Sequence, residues 1–572
     1  MNLPGQTPLQ SEYDIVIVGS GGGSMCAALA AKEQGLSSVI LEKRDKVGGS
    51  TSLSGGILWV PNHPLLAPAG VRDTPEMATR YLDRLIGPDS PSTTPARRTA
   101  FVKQAPEMVR FLLSKGMKLR RPVNTYPDYY DDLPGGVPEG RSLVPLPFNV
   151  KTLGDWYPHL AVYRPIIPVP LGADEFPTLL SLKRSFAGKL KAMKLGWMMM
   201  RARFLGEQVS ATGAAVQGRM LELAIRQGLA PHIETPVRDL IVEDGRVVGV
   251  RAEKDGKPIE IRARRGVLID SGGYARNASL REKFNRAPGT PQWTSANHGD
   301  TGDLLETMMA LGADTADLDT AWWVVTSRNV NGQWPPETTL PDGEVFPFQH
   351  HLDLSLPHVI LVDQDGRRFT NESGSYMDVG ENMYARHGQT GRAIPAWAIF
   401  DARHRERYQW GPMLPGKTPE NWLESGYMKK ADTIEELARL CDIDGDGLKA
   451  EIERFNGFCA TGEDLDYKRG NRAFDKAHGD HRVKPNPCLG AIEQGPFYAV
   501  AIYPHDVGTA GGVVADEYAR VLRKDGTPIP GLYAFGNASA PVFGRTYPGA
   551  GASIAASFTF GYVAARHCAG VE

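Results

Sequence analysis

Cysteine is scarce in this sequence, and the few cysteines present show no spacing that suggests a shared role. The 572 residues include only Cys26, Cys441, Cys459, Cys488 and Cys568. None belongs to a C-x-x-C pair or has a neighbouring histidine pattern, so the spacing indicates neither a zinc site nor a disulfide framework. We therefore expect reduced thiols in a cytosolic compartment.

Long apolar runs and an excess of charge of one sign are also missing. No stretch reaches the roughly eighteen unbroken apolar residues that span a bilayer, and Met1–Glu12 lacks the basic segment and apolar core of a secretory signal. The formal net charge of -2 gives no global reason to expect a nucleic-acid partner. A hydrophobic content of 41% is that of a globular protein, and the length predicts at least two domains.

What the sequence does contain is a glycine-rich segment near its N-terminus. The apolar run Ile15–Val18 is typical of a buried parallel strand, and glycines and serines follow it where a helix should begin. The N–H groups at that helix N-terminus would bind a pyrophosphate, and Glu42, ending the next strand, would accept hydrogen bonds from a ribose. Ser24 occupies the third glycine position of the Gly-x-Gly-x-x-Gly pattern, so we expect the helix to pack slightly farther from the strand.

Later segments return the chain to the same sheet. Gly266–Gly273 and Gly531–Asn537 are buried strands that end in glycines, and Tyr547–Gly551 opens a helix of small residues. Helical spacing of apolar residues also predicts helices over Thr74–Ile86 and Ala105–Lys115. We therefore expect an α/β fold in which a discontinuous Rossmann-like domain, residues 1–335 and 500–572, is interrupted by an inserted α+β catalytic domain, residues 336–499.

Two further segments allow more than one interpretation. Lys183–Leu205 mixes basic and apolar side chains without an acidic residue, which resembles a membrane-surface helix; the alternative is a solvated helix packed on the protein's own core. Asp442–Glu453 matches a calcium-loop pattern, but no second loop is visible and Lys449 stands where an apolar residue is usual. We predict no metal site there and expect capping of the next helix instead.

Together the motifs resemble the fumarate-reductase and succinate-dehydrogenase flavoprotein superfamily and, within it, the family of 3-ketosteroid Δ1-dehydrogenases. The resemblance covers nearly all of the chain. It is carried by Tyr13–Ser24, Glu42 with Gly48-Gly-Ser-Thr, the tyrosine loop (Tyr126–Gly136), Ala321-Trp-Trp323, Gly366–Glu372, Asn371–Tyr376, Gly531–Asn537 and Thr546–Gly551.

The resemblance implies non-covalent FAD held along the whole glycine-rich segment, and a separate electron acceptor, a quinone or another. It implies that FAD is bound by Gly19, Ser20, Gly21, Gly22, Gly23, Ser24, Glu42, Lys43, Gly49, Ser50, Thr51, Ser54, Gly55, Gly56, Gly272, Gly273, Gly536, Asn537, Ser553 and Ile554.

For catalysis, the resemblance implies that Tyr376 removes the C2 proton of a 3-ketosteroid with help from Tyr129. The Tyr547 hydroxyl and the backbone N–H of Gly551 would hold the C3 carbonyl, while a hydride leaves C1 for flavin N5. Donors aimed at a developing enolate oxygen each lower the barrier by about 3 kcal/mol.

Two questions about these tyrosines stay open in the sequence. Tyr129 could exchange roles with Tyr126 or Tyr130. Free tyrosine has a pKa near 10, so either its surroundings make Tyr376 more acidic or it shares its proton with Tyr129.

The expected activity is therefore 1,2-desaturation of the steroid A ring. Alternatives are a 3-ketosteroid Δ4-(5α)-dehydrogenase and, less favoured, a fumarate-reductase-like reductase, which predicts an arginine where Tyr376 stands. A flavin-containing electron-transfer or membrane-recruited subunit is the alternative from another class. We expect a cytoplasmic protein, with Lys183–Leu205 as the candidate for peripheral membrane contact.

Overall fold

The structure is a computed structural model of the chain. It describes residues 3–88, 90–122, 126–162, 172–175, 186–331, 333–335, 338, 345 and 347–571. Lys183 to Ser185, at the start of the basic segment, lie outside the described residues, and the rest of that segment is a helix.

Helices are numbered here along the chain. They are α1 (Gly22–Glu33), α2 (Gly49–Leu53), α3 (Pro75–Ile86), α4 (Pro95–Lys115), α5 (Phe186–Phe204), α6 (Gly213–Arg226), α7 (Ala278–Phe284), α8 (Leu305–Ala310), α9 (Tyr376–Thr390), α10 (Ala402–Arg407), α11 (Glu420–Glu424), α12 (Ile434–Cys441), α13 (Gly445–Thr461), α14 (Ala473–Ala477) and α15 (Ala552–Cys568).

Strands are numbered in the same way. They are β1 (Glu12–Val18), β2 (Ser38–Leu41), β3 (Leu58–Trp59), β4 (Leu119–Arg120), β5 (Ser142–Pro145), β6 (Phe148–Asn149), β7 (Val209–Ser210), β8 (Val237–Glu243), β9 (Arg246–Lys254), β10 (Lys257–Ile269), β11 (Thr315–Ala316), β12 (Ala321–Ser327), β13 (Val359–Val362), β14 (Ala396–Phe400), β15 (Met428–Ala431), β16 (Phe497–Thr509), β17 (Gly512–Val513), β18 (Arg520–Leu522) and β19 (Pro528–Ala534).

The first main sheet is built around the glycine-rich segment. Its strands follow the order β18-β19-β10-β1-β2, and the hairpin strands β9 and β8 extend from β10. Strands β19, β10, β1 and β2 run parallel. Their apolar runs are buried on both faces, as expected for strands covered by helices on each side. Helix α1 packs against α15 and α6 on one face, which brings both ends of the chain to one place.

The second main sheet is antiparallel, in the order β12-β16-β14-β13, with β15 also paired to β16. Strand β12 lies before residue 336 and β16 crosses residue 500, so this sheet takes strands from both sides of the expected boundaries. The division into 1–335 with 500–572 and 336–499 stays a prediction. The α/β fold class is confirmed.

One helix is longer than its apolar spacing predicts. Helix α4 begins at Pro95, after the capping residue Thr94, and contains Pro106 in its interior. An interior proline usually ends or kinks a helix because it lacks an N–H, so the sequence alone favours a start near residue 105. Among the described residues, no helix is long and apolar enough to cross a membrane.

Candidate active site

A cavity of about 760 Å³ lies where the two main sheets meet. Val18, Leu41 and Asp270, at the carboxyl ends of β1, β2 and β10, form part of its wall, and Tyr376 at the start of α9 forms another part. Ligands of open α/β sheets bind at this edge of the strands. One continuous space therefore joins the predicted cofactor residues to the predicted catalytic residues.

Most of the predicted cofactor residues line this cavity. They are Gly19, Ser20, Gly21, Glu42, Lys43, Gly49, Ser50, Thr51, Ser54, Gly55, Gly272, Gly536, Asn537, Ser553 and Ile554. The remaining five, Gly22, Gly23, Ser24, Gly56 and Gly273, do not line it, and at the four glycines an added Cβ would collide with neighbouring elements. At Gly22 the neighbour is Phe558 of α15, and at Gly23 it is Ser557.

The residues at this end of the cavity fit a flavin dinucleotide. Gly21 is the N-cap of α1 and gives no side-chain cap, and the positive end of the helix dipole there favours phosphate oxygens. The Gly22 N–H reaches Thr51 Oγ1 at 3.3 Å. Gly19 has φ +100, and a Cβ there would collide with the backbone of Asp270. Glu42 accepts hydrogen bonds from Ser20 Oγ at 2.5 Å and from Arg44 N at 2.9 Å, which fixes its carboxylate at the end of β2.

Ser24 acts as more than a spacer between helix and strand. Its N–H and its hydroxyl both donate to Asp270 Oδ2, at 2.8 and 2.9 Å, and its side chain is fully buried. A glycine could supply only the first of these two bonds. The serine at the third glycine position therefore adds a second hydrogen bond to the buried Asp270 carboxylate.

Two cavity carboxylates were not predicted from the sequence. Burial raises the pKa of Asp270 to about 7, and burial likewise raises the pKa of Asp300 to about 7. Asp270 directly follows the buried strand β10, at the edge of the sheet where ligands bind. This position in the sequence could have identified it as a cavity residue. Asp300 lies outside any recognisable motif and approaches Ser50 Oγ at 3.3 Å only through the fold.

The other end of the cavity is formed by three tyrosines. The ring centroids of Tyr129 and Tyr376 are 5.6 Å apart, those of Tyr376 and Tyr547 are 5.6 Å apart, and those of Tyr129 and Tyr547 are 5.8 Å apart. The residues come from the tyrosine loop, the start of α9 and the segment before α15. A near-equilateral cluster of phenols therefore faces one space.

Among the described ring contacts, the other two tyrosines of the loop do not meet the Tyr376 ring. Tyr126 lines the cavity, but no ring contact joins it to Tyr376 among the described residues. Tyr130 donates its hydroxyl proton to Asp378 Oδ1 at 2.6 Å and does not line the cavity. Of the three candidates, Tyr129 is the one the fold brings against Tyr376.

The environment does not make Tyr376 more acidic. Burial raises its pKa well above the usual value of 10, and the neighbouring Tyr129 and Tyr547 raise it further. Burial also raises the pKa of Tyr129. That Tyr376 shares a proton with Tyr129 stays a prediction, and the side chains of the two residues are hydrogen-bonded to each other.

The ketone-binding positions lie at the start of α15. The Tyr547 hydroxyl is 3.0 Å from Ser553 Oγ, and Gly551 is the N-cap of α15 with φ +91. N–H groups at a helix N-terminus have no intrahelical partner. Both residues line the cavity, as Tyr376 does, so each borders the space in which a substrate carbonyl would be bound.

Two histidines complete this end of the wall. His351 packs edge-on against Tyr376, with centroids 5.6 Å apart, and His478 packs against Phe474. Burial lowers the pKa of each to about 4, so both are neutral. The preceding His350 points into the protein, bonded to Asp353 and Ser327 at 2.6 Å each, and this anchors the segment that presents His351.

Cations are scarce around this space. Among the described residues that line the cavity, Lys43 is the only lysine or arginine, and it pairs with Asp303 at 2.8 Å. The motif arginines serve structure instead: Arg368 bonds Glu372 and Asp464 in the core, at 2.8 and 2.9 Å. The tyrosine end of the cavity is therefore neutral and aromatic.

The calcium-like stretch is a helix cap. Asp444 Oδ1 accepts from Asp446 N and Gly447 N, at 3.1 and 3.3 Å, at the start of α13. In the part of the chain that the structure describes, no group of histidine, cysteine or carboxylate side chains could hold a metal ion.

Comparison with known proteins decides the family. Residues 14–554 match the model of the FAD binding domain family. The chain belongs to this flavoprotein family. FAD is accordingly its cofactor, as the resemblance to flavoproteins implies.

Individual relatives match over the whole length. The chain is 40% identical to a 3-oxosteroid 1-dehydrogenase of Mycobacterium tuberculosis over 98% of both proteins. It is 34% identical to a 4-oxocyclohex-2-ene-1-carboxylate 5-dehydrogenase of Sinomonas cyclohexanicum, over 97% of this chain and 93% of the relative. The crystal structure of the 3-ketosteroid Δ1-dehydrogenase of Sterolibacterium denitrificans in complex with 1,4-androstadiene-3,17-dione superposes with a TM-score of 0.89, at 34% identity, covering 98% of this chain and 100% of that one.

Proposed function

We propose that this flavoprotein introduces a 1,2 double bond into the A ring of 3-ketosteroids. The observation that carries the proposal is the cluster of Tyr129, Tyr376 and Tyr547 in a neutral cavity continuous with the flavin site. Whole-length relatives named 3-oxosteroid 1-dehydrogenase support the same reaction.

The reaction removes one proton and one hydride from neighbouring carbons. The hydrogen-bonded pair of Tyr376 and Tyr129 first gives up one of its two phenolic protons to solvent and shares the other, and Tyr376 then takes the C2 proton as a phenolate. The Tyr547 hydroxyl and the Gly551 N–H hold the C3 carbonyl oxygen, where negative charge develops as the proton leaves. FAD, when bound, supplies the two-electron oxidation by accepting the hydride from C1. These residue roles are part of the proposal.

The charge of the cavity argues against acidic substrates. A fumarate reductase or an oxocyclohexane carboxylate dehydrogenase must hold a carboxylate, for which a bidentate arginine is the usual partner. The described lining offers only Lys43, which is engaged by Asp303. A neutral ketone with a large apolar body fits this wall better.

Anaerobic mixing with 4-androstene-3,17-dione tests the function. We expect the flavin absorbance to bleach and the 1,4-diene to form, whereas 4-oxocyclohexanecarboxylate should leave the spectrum unchanged. A saturated 5α-3-ketosteroid distinguishes regiochemistry, because a Δ1 product supports the proposal and a Δ4 product supports the Δ4-(5α) alternative. An unchanged spectrum with every steroid would refute it and favour an electron-transfer subunit.

The electron acceptor is a separate molecule, a quinone or another oxidant, which must take two electrons from the reduced flavin in each turnover. The five cysteines are free and buried, which supports the expected reducing, cytoplasmic compartment. The protein thus requires an acceptor that the cytoplasm or its membrane supplies.

We also propose that α5 contacts an anionic membrane surface. At ~100° per residue, its exposed large apolar side chains fall within an arc of about 80°. They are Phe186, Leu190, Met193, Trp197, Met200 and Phe204. The exposed cations Lys189, Lys194 and Arg201 flank this stripe, and such charges attract anionic headgroups.

The opposite face of α5 is the one that packs on the protein, so the exposed apolar stripe is not part of the hydrophobic core. Leu195, Met199 and Ala202 lie on that face and are half-buried or buried, so the helix already packs on the protein by one side. Trp197 is 60% exposed on the other. The stripe thus has room for a lipid surface while α5 stays attached.

Vesicle flotation at low salt tests this contact. Wild-type holoenzyme should float with phosphatidylglycerol-containing vesicles, and less with pure phosphatidylcholine. Leu190→Ser combined with Trp197→Ser should abolish flotation, while Leu440→Ser, which changes an equally exposed leucine on α12, should not. A wild-type protein that stays at the bottom of the gradient rules the contact out.

A further inference from the structure

We propose that Tyr130 and Asp378 are positioning residues that set the distance between Tyr129 and Tyr376, an inference that rests on the proposed function. Tyr130 directly follows Tyr129, and Asp378 lies two residues after Tyr376. The Tyr130 hydroxyl donates to Asp378 Oδ1 at 2.6 Å. One short bond thus ties the tyrosine loop to the first turn of α9, beside both members of the phenol pair.

The bond lies out of reach of the substrate. Neither Tyr130 nor Asp378 lines the cavity, and Tyr130 is 7% exposed. The Arg472 guanidinium lies over the Tyr130 ring, 4.8 Å from its centroid. Burial raises the pKa of the Asp378 carboxyl, whose side chain is half-buried, to about 6. Hydrogen bonds in such surroundings hold their geometry well.

Other contacts fix the loop to different elements. Asp131 accepts from Ala473 N and Phe474 N at 3.1 Å each and so caps α14. The Tyr129 N–H donates to the carbonyl of Pro548 at 3.1 Å, next to Tyr547. Besides the hydrogen bond between the Tyr129 and Tyr376 side chains themselves, the Tyr130 hydroxyl joins this loop to the start of α9 through Asp378 and the cap residue Ser375.

The distance between the Tyr129 and Tyr376 side chains governs proton transfer between them. A phenol and a phenolate can share a proton only within hydrogen-bond reach, and a misplacement of about 1 Å can lower a rate about a hundredfold. Loss of the bond loosens the loop relative to α9 while leaving Tyr129, Tyr376 and the flavin site chemically intact. The effect should therefore fall on the chemical step.

Tyr130→Phe removes only the hydroxyl. In the holoenzyme with saturating 4-androstene-3,17-dione, we expect kcat and the rate of anaerobic flavin reduction to fall between about ten- and a hundredfold. KM should change less than about threefold, and flavin content should not change. Tyr467→Phe is the matched control, since it removes a phenol that donates to the Arg368 carbonyl at 2.8 Å, away from the site.

Substitution of the acceptor separates positioning from general stability. Asp378→Asn retains Oδ1 as acceptor and should keep kcat within about threefold of wild type, whereas Asp378→Ala should lose as much as Tyr130→Phe. A wild-type kcat in Tyr130→Phe, or equal losses in the asparagine and alanine variants, overturns the proposal. If wild-type enzyme itself is not bleached by steroid, the proposed function fails instead.

Discussion

Ser24 and Asp270 are joined twice: the N–H and the hydroxyl of Ser24 both donate to the same carboxylate oxygen, at 2.8 and 2.9 Å. The pair links the first turn of α1 to the end of β10, two segments 246 residues apart. It stands directly behind the glycines of the cofactor site, so the position of α1 depends on it.

Ser24→Ala should destabilise the protein. The change removes one hydrogen bond to a buried carboxyl, which costs about 1 to 3 kcal/mol of unfolding free energy. Thermal or urea unfolding of the holoenzyme measures the loss. Ser114→Ala, which alters a serine bonded to Phe111 O on the exposed end of α4, should be almost neutral. Equal effects at the two sites would contradict the role given to Asp270.

In flavin-free protein, Asp270 and Asp300 should contribute stability that is lost as the pH rises from about 4 to about 7. Burial raises the pKa of each to about 7, above the value near 4 in the unfolded chain. These two carboxyls then bind more protons in the folded state across this window, so their contribution to the unfolding free energy falls with increasing pH, by an amount on the order of a few kcal/mol. Buried histidines such as His351 and His478, with pKa values lowered to about 4, contribute in the opposite direction.

Urea unfolding of flavin-free protein at pH 5 and pH 8 checks the sign. The stability of wild type relative to Asp300→Asn should fall between the two pH values, because the amide does not titrate while the other groups are common to both proteins. A relative stability that rises would show that the Asp300 carboxyl is ionised in the folded state.

Tyr376→Phe should lower turnover by about 10² to 10⁴, the range for loss of a general base. Flavin content and steroid affinity should hold, because the ring remains. Tyr384→Phe is the control on the same helix, since it removes a hydroxyl bonded to Pro288 O at 3.0 Å. Wild-type steady-state turnover in Tyr376→Phe would exclude this residue as the base.

Gly551→Ala should impair both folding and catalysis. At φ +91 a side chain is strained by about 1 to 2 kcal/mol, and its Cβ would collide with the backbone of Ile57. We expect a lower Tm and slower flavin reduction by steroid. Gly388→Ala, in α9 with open space around it, should instead stabilise by about 0.5 to 1 kcal/mol. A Gly551→Ala variant with wild-type Tm and wild-type flavin reduction would argue against a close approach of the Ile57 backbone to Gly551.

The sequence predicts the local parts of this fold well. Apolar runs, glycines and a strand-ending acid define β1, α1 and β2, since each signal lies within a few residues of its effect. Tyr376 and Tyr547 are identified as candidate site residues by the resemblance to a known family, not by a local sequence pattern. Periodicity fails at α4, because Pro106 normally ends a helix and tertiary packing carries the helix through it.

Contacts between distant segments are what the sequence does not reveal. The choice of Tyr129 over Tyr130 depends on which way each ring turns, and Asp378, which fixes Tyr130, is 248 residues away. Likewise, His350 and His351 are identical in type, yet one is anchored by Ser327 and the other faces the cavity. Only the folded structure shows which of two adjacent residues of the same type lines the cavity.

The packing of α1 on α15 sets the order of events during biosynthesis. Gly22 and Gly23 lie against Phe558 and Ser557, and Gly536 to Ile554 close the cofactor wall. A ribosome-bound chain thus exposes the glycine turn hundreds of residues before its cover is made. The cofactor site can therefore be closed only after the segment up to residue 558 has been made and has packed against α1.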